Sequence, residues 1–120
     1  MSQYVIVING DEKAQKNATV EQHKQIFAEY MKYSEELAAS GAMRGGEALE
    51  PSAKGLRITH KEGRRVVTDG PFAEAKEVVG GFYIIDVKTR EEAIEWAAKC
   101  PGAKYGSVEL RPVMSMNLPK

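Results

Sequence analysis

Two helix-start signals constrain this chain more than any other feature in it. Thr19 is followed three residues later by Gln22, and Thr89 three residues later by Glu92. At that spacing a threonine hydroxyl and a long polar side chain can each satisfy a backbone amide left open at a helix start. After the first signal, Val20, Phe27, Tyr30 and Leu37 recur at helical spacing until Ser40-Gly41 interrupts them, which predicts a helix over 19–40. After the second, Ala93, Ile94, Ala97 and Ala98 make an apolar face, Glu95 and Lys99 a favourably oriented pair, and Pro101-Gly102 a stop. Apolar or alternating runs flank both helices. "YVIVI" lies in a strand over 3–8 that Asn9-Gly10-Asp11 breaks, "AMRGGEAL" follows the first helix, "GFYIIDV" precedes the second, and "GSVELRPV" follows it.

Between the two halves, residues 51–54 form a linker and "GLRITHKEGRRVVTD" alternates around Lys61-Glu62-Gly63 as a hairpin does. The predicted order is therefore strand, helix, strand, inserted hairpin, strand, helix, strand. This is an α+β, ferredoxin-like split β-α-β arrangement. With 120 residues, one domain over 1–120 is expected, burying roughly 65% of the surface of the unfolded chain. In such a fold both helices cover one face of the sheet, yet "YVIVI" and "FYII" carry apolar residues on both faces. A second copy packed sheet against sheet, or the inserted hairpin folded back, would cover the other face. The expectation is a symmetric homodimer, a dimeric α/β barrel, with a ligand cleft between sheet, hairpin and first helix.

Composition removes several function classes. Seventeen basic and seventeen acidic residues cancel, so the overall positive field that non-specific nucleic-acid binding uses is missing. "YVIVI" is the longest strongly apolar run, far below the roughly 20 residues that span a bilayer; no membrane partner and a cytoplasmic location are expected. Cys100 is the only cysteine, read as a small buried residue, and with two separated histidines no metal site and no cofactor is expected. "RGGEAL" and "VVGGFY" lack the spacing and the strand-to-helix context of phosphate loops, and no nucleophile elbow is present.

Four places could carry chemistry. His23 shares a helical stripe with Tyr30 and Ser34, where it is either a helix-edge residue or a base beside a hydroxyl donor. His60 sits among Lys54, Arg57, Lys61, Arg64 and Arg65, a basic hairpin that is either simply solvated or an anion-attracting rim. Asp69-Gly70-Pro71 makes a turn, in which Asp69 is a cap or a carboxylate shown to a cleft. Phe72, followed by Glu74, Lys76 and Glu77, lengthens that turn into a loop able to wall a site.

The segment "VTDGPFAEAKEVVGGFYIIDV", with "EEAIEWAAKCPGA", "GSVELRPVM", "YVIVINGDE" and "EELAASGAMRGGEAL", resembles the YCII-related, DGPF-domain family over nearly the whole chain. The resemblance implies a ferredoxin-like subunit, usually dimeric, with a cleft near the dimer interface. It also implies small cytoplasmic proteins without an established reaction, some resembling enzymes through a His and an Asp facing a pocket and others accompanying alternative sigma factors. Asp69 is the matched carboxylate. The helix position that would hold the histidine falls near Glu29 or Tyr30, about two turns after His23. Two functions follow as expectations. In one, a small organic molecule binds with Asp69 as base, Tyr30 or His23 as proton donor or acceptor, Arg44 or Lys76 as anion holder, and Phe72 and Tyr83 as walls. In the other, an accessory protein contacts a sigma-factor-type regulator through the basic hairpin or a sheet edge.

Overall fold

The computed structural model describes residues 1–70 and 77–115. Strand β1 (Ser2–Gly10) leads into a short helix α1 (Glu12–Lys16), then α2 (Val20–Ala39) and β2 (Met43–Ala48). A 3-10 turn (Ser52–Lys54) precedes the hairpin of β3 (Leu56–Lys61) and β4 (Arg64–Asp69). Then come β5 (Val78–Val87), α3 (Arg90–Lys99), α4 (Gly102–Tyr105) and β6 (Ser107–Pro112). The two threonines act as their spacing predicts. Gln22 N–H donates to Thr19 Oγ1 at 3.1 Å while Thr19 N–H donates to Gln22 Oε1 at 2.8 Å. Glu92 N–H donates to Thr89 Oγ1 at 3.1 Å, but the Glu92 carboxylate reaches one residue further back, to Lys88 N–H at 3.2 Å. The two short helices are additions to the expected order. Asp11, read as part of a break, instead caps α1 by accepting from Lys13 and Ala14 N–H.

β2, β5, β1 and β6 form one antiparallel sheet in that order, compatible with a ferredoxin-like α+β fold once the hairpin is set aside. Tyr33 and Leu37 of α2 and Ala93 and Ala97 of α3 share one buried cluster with Ile6, Ile85 and Val87 of the sheet, so both long helices lie on the same face. Register places the intervening residues on the opposite face: Val5 beside Ile84 and Arg111, Val7 beside Phe82 and Glu109. The smallest dimension, 17 Å, accommodates one helix layer on one sheet; a further layer would add about 10 Å.

The core-facing stripe of α2 agrees with the predicted one only in part. Tyr30 and Leu37 face the core as expected, joined by Tyr33, whereas Val20 and Phe27 are 69% and 67% exposed. Both sets obey a 3.6-residue period and lie about a third of a turn apart on the helix surface. Spacing alone cannot choose between them, and packing does. On α3 the same happens on a smaller scale: Trp96 takes an inward place while Ile94 stays 42% exposed.

The hairpin covers neither face. Every residue of β3 and β4 is exposed, and the two strands pack substantially only on each other. Their turn has positive φ at Glu62 (53°) and Gly63 (78°), as a two-residue hairpin connection requires. With this arm projecting, the radius of gyration is 16.7 Å, against about 13.6 Å for a compact chain of this length.

Candidate functional site

Where α2 crosses β5, hydroxyl groups take places that aliphatic side chains would fill in a plain core. Ser34 Oγ and Tyr83 Oη lie 2.7 Å apart. The Tyr33 ring meets the Tyr83 ring edge-on at 5.3 Å and the Trp96 ring at 6.1 Å, and Tyr33 Oη donates to the Trp96 carbonyl at 2.7 Å. The Tyr30 hydroxyl lies beside the Cys100 thiol and the Gly102 amide. A Cβ on Gly102 would lie 2.9 Å from that hydroxyl. α2 supplies Tyr30, Tyr33 and Ser34 because a four-residue step keeps a side chain on one face and a three-residue step shifts it only slightly.

Burial, then the neighbouring Cys100 and Tyr83, pushes Tyr30 and Tyr33 well above the usual phenol range. Tyr83 is also pushed up by burial, an effect that its Ser34 bond partly offsets. All three phenols therefore stay protonated at neutral pH and serve as donors rather than bases. Burial likewise raises the Cys100 thiol, eased by the Gly102 amide and Tyr30. With 1% of its surface exposed, Cys100 is the small buried residue expected from its sequence context, and a thiol in this state is inert.

The remaining candidates are more scattered. His23 is exposed on α2, and Asp69 is exposed at the end of β4. No hydrogen bond or ion pair among the described residues links either to the tyrosines. Arg44 on β2 donates to the carbonyls of Gly41 (2.7 Å) and Met43 (3.1 Å) and lies 3.7 Å from Asp86 Oδ2. The other oxygen, Asp86 Oδ1, is buried and has no partner among the described residues. Phe72 and Lys76 lie outside the described residues. Of the sequence candidates, the fold therefore brings together Tyr30 and Tyr83. It adds Tyr33, Trp96 and Asp86, which helical spacing and composition did not single out.

The start of the Asp-Gly-Pro-Phe segment has a structural role that sequence reasoning missed. Gly70 N–H donates to the Gly55 carbonyl at 3.0 Å, and a Cβ on Gly70 would sit 2.0 Å from the Ser52 carbonyl oxygen. Only glycine permits that approach. Ser52 is itself held by Glu12, whose carboxylate accepts from Ser52 N–H at 2.7 Å and from the Ser52 hydroxyl. These bonds hold the Glu12 carboxyl below its ordinary range. The link joins residues 40 apart in sequence, so no local pattern announces it.

Beside the tyrosine cluster, a surface groove of about 360 Å³ has Tyr33 and Cys100 in its lining and is bordered by Lys32, Lys99 and Lys104 with Glu29 and Glu36. Glu29 already accepts from Tyr105 at 2.9 Å and from Lys104 at 3.3 Å, so the Glu29 and Lys104 charges satisfy one another. Among the described residues no group of three His, Cys, Asp or Glu side chains is placed to hold a metal ion, and no helix is long and apolar enough to cross a membrane.

A model of the YCII-related domain matches residues 2–117, and the chain belongs to that family. An uncharacterized protein of Rhizobium meliloti (strain 1021) is 29% identical over 112 residues, covering 92% of this chain and 90% of the relative.

Proposed function

We propose that this YCII-related chain acts as a homodimer, joined sheet to sheet into an α/β barrel, and binds a small organic molecule at the seam of α2 and β5. The observation that carries the ligand is the hydroxyl line Tyr30, Ser34 and Tyr83, with Ser34 and Tyr83 2.7 Å apart. Protonated phenols at a half-buried seam donate hydrogen bonds to carbonyl or ether oxygens, and the Ser34–Tyr83 pair can turn one donor outward. Arg44, on the edge strand next to β5, is assigned as the holder of an anionic group. Phe72 and Lys76, in the segment after Asp69, are assigned as wall and anion holder. Tyr30 is the proton donor of the seam in this reading; His23 and Asp69, exposed and apart from it, would act only on a ligand that extends beyond it.

The test is a fragment screen followed by NMR. Bound fragments are expected to shift the signals of Ser34 and Tyr83, and Tyr83→Phe is expected to weaken them about two- to tenfold, the worth of one hydrogen bond. Fragments that bind tightly while leaving both residues unperturbed would place the site elsewhere.

A further inference from the structure

Two apolar surfaces of this chain are left uncovered, and they match. Opposed residues of a hairpin share a face. Leu56 pairs with Asp69, Ile58 with Val67 and His60 with Arg65, so one face of the arm carries Leu56, Ile58 and Val67. These three are 57%, 60% and 49% exposed. A two-stranded ribbon with both faces in water is marginally stable at best. On α2, Val20, Phe27 and Met31 form the second uncovered stripe, 69%, 67% and 48% exposed. Their charged surroundings are of opposite sign. The arm's tip carries Lys61, Arg64 and Arg65 against Glu62, with Arg65 on the docking face, whereas α2 carries four glutamates and two lysines, of which Glu21, Glu35, Glu36, Lys24 and Lys32 are exposed.

We infer that the arm of one copy clasps α2 of a second copy, laying Leu56, Ile58 and Val67 on the partner's Val20–Phe27–Met31 stripe. Among the described residues of one chain both surfaces stay open. In a two-fold pair a single contact, made twice, covers all four patches, and the basic tips meet an acidic helix. Asp69 shares the docking face of the arm, so clasping turns its carboxylate toward the partner's helix. The inference rests on the homodimer proposed above, but concerns a different contact from the packed sheets.

The experiment mixes two differently tagged chains, one carrying Ile58→Cys and the other Phe27→Cys, under mild oxidation. Cys100 is buried and stays silent in unsubstituted controls. A mixed-tag disulfide dimer, reversed by reductant, is expected. Absence of the mixed species, or an intrachain bond in the doubly substituted chain, overturns the clasp. In parallel, Ile58→Asp, at an exposed position, should leave the far-UV spectrum unchanged and weaken dimerisation at least tenfold by sedimentation. A dimer of unchanged affinity in Ile58→Asp removes the arm contact while leaving the sheet-to-sheet dimer standing. A chain that is monomeric at every accessible concentration removes both.

Discussion

The two faces of the central sheet are built from alternate residues of the same strands, yet they have different fates. On one face Ile6 and Ile85 are fully buried and Val87 is 1% exposed, under α2 and α3. On the other, Val5, Val7, Phe82 and Ile84 are only half-buried, and Val79 is 49% exposed. Polar neighbours Glu109 and Arg111 flank this apolar centre, the layout of an interface core with a polar rim. Equal hydrophobicity therefore does not mean equal burial within the chain. The helices are connected so that both land on one side, and the proposed dimer would use the other.

Substitutions on the two faces should accordingly separate folding from assembly. The largest effect is expected from Leu37→Ala, which opens a cavity under the fully covered face and should cost about 2–5 kcal/mol in urea unfolding. A loss below about 1 kcal/mol would mean that the helix layer packs more loosely than its burial indicates. Val7→Lys on the open face comes next. It should lower monomer stability by no more than about 1 kcal/mol, but weaken dimerisation by more than tenfold in sedimentation, because an ammonium group would have to be desolvated at the centre of the proposed interface. Equal dimer affinity for Val7→Lys and the unsubstituted chain would show that the open face is not the interface.

The smallest effect concerns the base of the arm. Because the folded-state carboxyl of Glu12 is held below its ordinary value by Ser52, its contribution is complete above the unfolded pKa of about 4.3. It is lost as pH falls through the lowered folded value. Glu12→Gln should remove this acid-sensitive increment, so the urea midpoint of the variant should fall less between pH 6 and pH 3 than that of the unsubstituted chain. Parallel pH profiles would mean that the Glu12–Ser52 link is neutral in energy.

Much of the architecture was legible because it is written in short-range chemistry. Thr19 and Thr89 cap helices where their partners three residues on predict, and Glu62-Gly63 turns the hairpin. The glycine- and proline-bearing breaks separate elements close to where they end. The helix faces were less legible. Val20 and Phe27 have the same helical spacing as Tyr30 and Leu37, and only the position of the sheet decides which set is inward. The site divides in the same way. Tyr30 and Tyr83 could be named from the sequence, but their connection through Ser34, Tyr33 and Cys100 depends on how α2 crosses β5. The Glu12–Ser52–Gly70 link had no sequence signal at all, since hydrogen bonds between distant segments leave no period to read.

The sequence by itself determined the order of the strands and the two long helices, the family, and the surplus of apolar residues on both sheet faces, because capping, turn geometry and side-chain alternation act over a few neighbouring residues. Tertiary structure alone decided which face is covered, which stripe of α2 is buried, and why position 70 must be glycine. Those outcomes depend on the steric meeting of segments far apart in the chain, where the approach of one carbonyl oxygen to a missing Cβ settles what local pattern leaves open.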